Sequence, residues 1–143
     1  MLSEQYQITL TSVRENISRI EPFLRSIPYV HELPESVYYN ALIVLTEAVN
    51  NAIIHGNACI ESKEVDVVVR VDAERFVIIV TDEGEGFDPE AVPDPRRREN
   101  ILKDGGRGVF LIKALSQDVR YAFTGQGMQV EMVISVPPTT PSL

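Results

Sequence analysis

The sequence has no tryptophan, only one cysteine, Cys59, and only two histidines, His31 and His55. A single thiol cannot form a disulfide within the chain, and a chain without disulfides suits a reducing compartment. One cysteine and two histidines that are far apart in sequence do not supply the ligand cluster of a zinc site. We therefore exclude a disulfide-rich scaffold and a zinc domain, and we interpret Cys59 as a small structural residue.

Long apolar runs are also lacking. No uninterrupted run approaches the roughly 20 residues that a membrane-spanning helix requires. The N-terminus does not combine a charged start, an apolar segment and a cleavage site, which together make a signal peptide. We therefore expect a cytoplasmic protein that does not bind a membrane.

Basic residues are too few for the positively charged face of a typical nucleic-acid-binding domain. The chain has 13 lysines and arginines against 21 aspartates and glutamates, which gives a formal net charge of −8. Its one dense basic run, residues 96–98, is interpreted as a solvated loop in preference to a phosphate or partner contact. Direct binding to nucleic acid is therefore not expected.

The length of 143 residues is typical of one domain with its own hydrophobic core. No internal repeat and no domain boundary is visible, so residues 1–143 are predicted to form a single domain. Within it, residues 92–104 have no apolar period and are predicted to form a mobile loop. Residues 137–143 are predicted to be a disordered tail.

Apolar periodicity predicts five strands and three helices. Ser12 and Glu15 form a capping-box signature at the start of the first helix, and Gly56 is placed to end the second. Helices grouped with a meander of strands indicate an α+β two-layer sandwich. The predicted strands are residues 5–10, 63–71, 75–81, 118–124 and 128–136, and the predicted helices are residues 12–27, 34–56 and 109–115.

A polar pair interrupts the apolar pattern of the long second helix. Glu47 and Asn51 are four residues apart and therefore share one helix face, beside a second pair, Asn50 and Ile54. A carboxylate and an amide at the edge of a core are costly unless partners satisfy them, and a ligand or metal can supply those partners. On these residues alone, a ligand site and an ordinary buried Glu–Asn hydrogen bond are both open.

Two glycine-rich segments follow in the sequence. Residues 82–89 come directly after an apolar strand, so that Asp82 is predicted to point out of the end of the sheet. Residues 104–112 place three glycines and an arginine before an amphipathic stretch, and such a helix entry presents free N–H groups to an anion. Taken singly, each segment is more typical of an ordinary tight turn or helix entry.

Taken in order, the three segments resemble the nucleotide-binding motifs of the GHKL superfamily of ATP-binding proteins. The sequences of the three motifs are most similar to those of the anti-sigma-factor serine/threonine kinases in that superfamily. Three ordered motifs at suitable separations are far more specific than any one of them, and the resemblance covers roughly residues 5–136. The matching segments are Glu47-Ala48-Val49-Asn50-Asn51-Ala52 with His55-Gly56, Asp82-x-Gly84-x-Gly86-Phe87-Asp88-Pro89, and Gly105-Gly106-Arg107-Gly108-Val109-Phe110-Leu111-Ile112.

The resemblance implies a Bergerat-type fold, in which a mixed, largely antiparallel sheet is covered on one face by helices and ATP lies between them. Residues 88–104 would form a short lid over the nucleotide. By resemblance, Asp82 accepts the adenine amino group, Asn51 binds Mg²⁺ through its amide oxygen, and Glu47 is the general base. The other residues expected to contact the nucleotide are Asn50, His55, Gly84, Gly86, Phe87, Gly105, Gly106, Arg107, Gly108 and Val109.

Within this set, the second glycine motif is expected to hold the phosphates. Gly105, Gly106 and Gly108 would cradle them at the start of the third helix. Arg107 is open to two interpretations, as a γ-phosphate contact or as a residue of the helix start that faces solvent.

The implied function is that of a serine/threonine protein kinase and anti-sigma factor. Such a protein binds a sigma factor and uses Mg-ATP to phosphorylate an anti-anti-sigma partner on serine. The alternatives are an ATP-gated protein-binding switch without phosphoryl transfer and a GHKL ATPase. The intact Glu47 argues against a pure binder, and a histidine kinase is not expected because 143 residues leave no room for its dimerisation domain. A homodimer is a further expectation, with an exposed apolar side formed by Ile8, Leu10 and Val13 as its candidate interface.

Overall fold

The structure, a computed structural model, describes residues 4–72, 74–84 and 106–137. Its strands form one five-stranded sheet in the order β1-β2-β3-β5-β4. Within these residues every neighbouring pair of strands is antiparallel. The expected α+β fold, with helices on one face of the sheet, is confirmed. The strands are β1 (Glu4–Thr11), β2 (Glu64–Val71), β3 (Arg75–Thr81), β4 (Asp118–Phe123) and β5 (Met128–Ser135), and the α-helices are α1 (Ile20–Arg25), α2 (Glu35–Asn51) and α3 (Gly106–Leu115).

Alternating burial explains why the central strands lie as they do. On β2, Val65, Val67, Val69 and Val71 are at most 1% exposed, as their period of two predicts. The register places Val67 between Ile8 of β1 and Val80 of β3, so that one face of the sheet becomes a continuous apolar surface. Burial of this face under the helices stabilises the sheet by roughly 25 cal/mol for each Å² of apolar surface removed from water.

Helix α2 supplies the opposite side of the core. Its buried residues recur at helical spacing and face the sheet. Together with the turn that continues it to Gly56, the helix has 22 residues and contains an 18-residue apolar window with a mean hydropathy of 1.2, so its length and composition would suffice to cross a membrane. However, 56% of that apolar window is buried inside the protein, as in a core helix. The buried residues of α2 are Val37, Ala41, Val44, Leu45, Ala48, Val49 and Asn51.

The C-terminal end of α2 departs from α-helical geometry. Ala52–Gly56 forms a π-helical turn, which the N–H of Asn57 closes by donating to the carbonyl oxygen of Ala52 at 2.8 Å. The next two residues, Ala58 and Cys59, have φ values of 52° and 57°, in the left-handed region that residues with a β-carbon rarely adopt. Single π turns inside helices are frequent at functional sites. The π turn therefore indicates a functional role for the residues around this end of the helix.

The predicted capping box at the start of the first helix is wrong. The segment begins as a 3₁₀ helix, Arg14–Arg19, and becomes α-helical only in α1. Ser12 is fully buried, and its hydroxyl donates to the carbonyl oxygen of Lys63 at 2.7 Å and accepts from the side chain of Asn57 at 2.8 Å. The Ser12 side chain therefore joins the end of β1 to the start of β2, and the 3₁₀ helix begins without a side-chain cap.

The predicted exposure of an apolar side on β1 is also wrong. Leu10 is fully buried, and Ile8 is partly buried against the same core. This side of β1 therefore packs under the helices and is not a free dimer interface. Helix α3 begins at Gly106, three residues before the predicted start at Val109. The predicted lid and nearly all of the predicted tail lie outside the described residues.

Candidate functional site

Asp82 stands directly after β3 and is held in one orientation by backbone groups. Its Oδ1 accepts the N–H of Gly84 at 2.8 Å and the N–H of Met128 at 3.1 Å. Its own N–H donates to the carbonyl oxygen of Met128 at 2.9 Å. The residue is 7% exposed, so these bonds determine where a nearly buried carboxylate points.

Three glycines allow backbone to approach Asp82 from different sides. An ideal β-carbon at Gly56 would lie 2.2 Å from Asp82 Oδ2, and one at Gly127 would lie 1.7 Å from the carbonyl oxygen of Asp82. A β-carbon at Gly84 would lie 1.8 Å from the carbonyl oxygen of Gly56. Since any side chain would clash at these positions, the end of α2, the turn after β3 and the β4–β5 turn meet around one carboxylate.

A narrow cavity opens between helices and sheet beside Asp82. It has a volume of about 20 Å³, which is room for about one water molecule, so a larger ligand requires the lining side chains to move. Asp82 and Asn51 contribute polar groups to the lining of this cavity, and the other lining residues are mostly apolar. The remaining lining residues are Ala48, Ala52, Val80, Ile112, Tyr121, Met128 and Val130.

The start of α3 packs closely on the polar pair of α2. A β-carbon at Gly108 would lie 2.7 Å from Glu47 Oε2 and 3.3 Å from both the amide nitrogen and the amide oxygen of Asn51. Glu47 is half-buried and Asn51 is 8% exposed. The first turn of a helix has unpaired N–H groups and a partial positive charge, so this corner combines anion-binding N–H groups with a carboxylate and an amide.

The other predicted site residues take different positions around this corner. Val109 is 5% exposed and packs into the core, whereas Arg107 is exposed at the start of α3. Asn50 is half-buried on α2, and His55 is exposed on the π turn. The predicted site residues that lie outside the described part of the chain are Gly86, Phe87 and Gly105.

Among the described residues, no group of three His, Cys, Asp or Glu side chains could hold a metal ion. Asn51 could contribute one amide oxygen, the type of ligand that Mg²⁺ accepts. An ion at this position would need further oxygen ligands, and the phosphates of a bound nucleotide are the chemistry that supplies them. The corner between α2 and α3 therefore fits Mg²⁺ that is bound together with the phosphates of a nucleotide.

Several residues of this arrangement were not identified from the sequence. From the sequence, Gly127 lies in the short connection between the predicted strands 118–124 and 128–136, Met128 is predicted only as a strand residue, and Asn57 receives no role. Of these residues, only Gly127 could have been identified from the sequence. The two glycines of Gly125-Gln126-Gly127 are typical of a close backbone approach as well as of a turn. Neither the Asn57 network nor the Met128 N–H bond to Asp82 leaves a pattern in the sequence.

Comparison with known proteins agrees with the three motifs. The chain matches the histidine kinase-like ATPase domain over residues 10–134. It is 32% identical to the serine-protein kinase RsbW of Oceanobacillus iheyensis over 84 residues, which are 54% of this chain and 53% of that protein. It is 32% identical to the serine-protein kinase RsbW of Staphylococcus epidermidis over 100 residues, 64% of this chain and 61% of that protein. The chain thus spans less than two thirds of these relatives, and the resemblance that the motifs indicated is confirmed.

Two solved structures share the fold. One comprises the RsbU and RsbW domains of a Mycobacterium tuberculosis protein, with a TM-score of 0.62 and 18% identity over 98% of this chain and 35% of that one. The other is a blue-light activated histidine kinase of Erythrobacter litoralis, with a TM-score of 0.54 and 20% identity over 73% of this chain and 32% of that one. At these identities the likeness concerns the fold alone.

Proposed function

The chain belongs to the histidine kinase-like ATPase domain family, and we propose that it is a serine/threonine protein kinase and anti-sigma factor. In this proposal it binds a sigma factor and uses Mg-ATP to phosphorylate an anti-anti-sigma protein on serine. The observation that carries the proposal is the contact of Gly108 with both Glu47 and Asn51. It supports a phosphate site at the start of α3 with a carboxylate and an amide already beside it.

Asp82 is the proposed adenine contact. Its Oδ1 is engaged by the N–H groups of Gly84 and Met128, which fixes the plane of the carboxylate. Oδ2, on the side of Gly56, is the oxygen that we assign to the adenine amino group. A preset acceptor loses little freedom when the base binds, and this supports a role in recognition.

The phosphates are proposed to lie at the start of α3. Gly108 allows the helix start to come within contact of α2, so the N–H groups of its first turn can face an anion next to Asn51. Asn51 would hold Mg²⁺ through its amide oxygen, and the ion would neutralise phosphate charge during transfer. Glu47 lies on α2 and Gly56 ends the π turn that continues it, nine positions further along the chain, so the proposed phosphate end and adenine end lie at different places along this segment.

Glu47 is the proposed general base. The serine oxygen of the partner would attack the γ-phosphorus, its proton would pass to the Glu47 carboxylate, and the bond from phosphorus to the ADP oxygen would break. Such transfer depends mainly on positioning and on charge stabilisation. Glu47 is only half-buried, which supports access by a protein substrate.

A transfer assay tests the proposed function. The purified chain is incubated with radiolabelled ATP, Mg²⁺ and a candidate anti-anti-sigma protein, and phosphoserine and ADP are measured separately. The proposal predicts phosphoserine on the partner in equal amount to ADP. Release of ADP without phosphoserine would identify an ATPase, and ATP binding without either product would identify a nucleotide-gated switch.

A further inference from the structure

Asn57 is fully buried, and both polar atoms of its side chain are hydrogen-bonded. Its amide nitrogen donates to Ser12 Oγ at 2.8 Å and to the carbonyl oxygen of Glu64 at 3.0 Å. Its amide oxygen accepts the backbone N–H of Glu83 at 2.8 Å. One side chain therefore joins the end of β1, the start of β2 and the turn that follows β3.

The bond to Glu83 fixes the chain immediately beyond Asp82. On the sheet side, Asp82 is fixed by the bond from its N–H to the carbonyl oxygen of Met128. On the turn side, the next anchor is the bond from the Glu83 N–H to Asn57. The Glu83 side chain also connects this turn to the start of β2, because its Oε2 accepts the N–H of Glu64 at 2.9 Å.

Asn57 also caps the π turn that follows α2 and begins a strained segment of backbone. It directly precedes Ala58 and Cys59, which among the described residues are the non-glycine residues with positive φ. It directly follows Gly56, which lies against the Asp82 carboxylate. Strained backbone persists only where the surrounding structure determines it. The buried hydrogen bonds of Asn57 hold this strained backbone in place. They thereby also hold Gly56 so close to the Asp82 carboxylate that a β-carbon at Gly56 would clash with it.

We propose that Asn57 is a positioning residue for nucleotide recognition. Through the N–H of Glu83 it sets the place of the Asp82 carboxylate relative to the end of α2, and thereby sets the preference for adenine. This inference rests on the proposed ATP site. A residue that served only the stability of the core would affect all nucleotides alike, whereas a positioning residue affects the contact to the adenine amino group.

The test compares ATP with ITP, which has an oxygen in place of the 6-amino group and otherwise binds through the same sugar and phosphates. If Asp82 accepts the amino group, the wild-type protein should bind ATP roughly 10- to 150-fold more tightly than ITP. Asn57→Ala should reduce this ratio by at least about fivefold, through weaker ATP binding and with ITP affinity unchanged. Calorimetry is performed at a temperature at which circular dichroism shows each variant to be folded.

Two further proteins make the result decisive. A backbone ester at position 83 replaces only the N–H donor by oxygen, so it removes the bond to Asn57 even if Asn57→Ala does not fold, and it should reduce the ratio similarly. Ser12→Ala removes another member of the network and leaves the bond between Asn57 and Glu83 intact. It should lower the melting temperature and leave the ratio unchanged.

The outcomes separate this inference from the proposed function. A wild-type ratio in the ester protein, or an equal loss of ratio in Ser12→Ala, would overturn the positioning role and leave the ATP site standing. Equal binding of ATP and ITP by the wild-type protein would overturn both the assignment of Asp82 and the role of Asn57.

Discussion

Gly127 lies directly against the backbone of Asp82: an ideal β-carbon at Gly127 would be 1.7 Å from the Asp82 carbonyl oxygen. This contact brings the β4–β5 turn to the end of β3, next to the two hydrogen bonds between Asp82 and Met128. The atom in the way belongs to the backbone, so no change of side-chain rotamer can relieve the clash. The hairpin turn is thus a structural part of the candidate site.

Gly127→Ala should therefore destabilise the protein by about 1–3 kcal/mol, the usual cost of overpacking. The displaced end of β3 should also weaken ATP binding. Urea denaturation measures the free energy of unfolding, with Gln126→Ala, at an exposed position of the same turn, as the matched control. Equal stability of Gly127→Ala and the wild-type protein would show that the turn does not constrain Asp82.

Asp82→Asn should keep the fold and lose affinity for ATP. The asparagine Oδ1 can still accept the N–H groups of Gly84 and Met128, whereas the charge on the acceptor is gone. A hydrogen bond to a charged group is worth about 1.5–3 kcal/mol, so the Kd for ATP should rise roughly 10- to 150-fold. Calorimetry measures the Kd, with Asp118→Asn on the outer strand β4 as control. Wild-type affinity would remove Asp82 from the proposed site.

Asn51→Ala removes the proposed oxygen ligand of Mg²⁺. Nucleotide binding should then lose most of its dependence on Mg²⁺, because the ion would retain only phosphate and water ligands. ATP affinity is titrated with and without Mg²⁺, and Asn40→Ala, at a half-buried position of the same helix, serves as control. An unchanged Mg²⁺ dependence would identify Asn51 as a hydrogen-bonding residue of the core.

Asp72 provides a prediction about pH that is independent of nucleotide. The backbone N–H of Glu74 is the largest cause that lowers the pKa of this carboxyl, and the N–H and guanidinium of Arg75 lower it further. Both N–H groups donate to Asp72 Oδ1 at 2.8 Å. A carboxyl with a lowered folded-state pKa stabilises the folded protein above its unfolded-state pKa, and this contribution is lost as the pH falls through the folded value.

Asp72→Asn should accordingly be less stable than the wild-type protein near neutral pH. The difference should shrink as the pH falls through the range in which aspartate titrates, and it should vanish in stronger acid. Urea denaturation of both proteins across this range measures the difference. A difference that does not change with pH would show that the charge of Asp72 contributes nothing.

The sequence predicts much of the fold because its strongest patterns are local. Alternation of valines on β2 and helical spacing on α2 are properties of neighbouring residues, and both are confirmed. The fold class followed from the order of these elements, and the three motifs identified the family. The α2 end was predicted from Gly56, but its π-helical form was not, since it depends on contacts with the end of β3.

The wrong and missing predictions share one physical cause, which is contact between residues that are far apart in the sequence. Ser12 has the local pattern of a helix cap, yet its hydroxyl is used by Lys63 and Asn57, about fifty residues away. The contact of Gly127 with Asp82 likewise depends on β3 and β5 being neighbours in the sheet. Such partners become visible only when the strand order is known.

The base role of Glu47 is the central claim, and Glu47→Gln tests it most directly. Glutamine keeps the volume of the side chain beside Gly108 but cannot take the proton of the attacking serine. Single-turnover phosphorylation is measured with ATP and partner protein at saturation, and Glu35→Gln, at an exposed position in the first turn of the same helix, is the matched control. The account predicts an unchanged melting temperature and ATP affinity, with phosphoserine formation slowed by about 10²- to 10⁴-fold. Near-normal phosphoserine formation by a stable Glu47→Gln protein would contradict it.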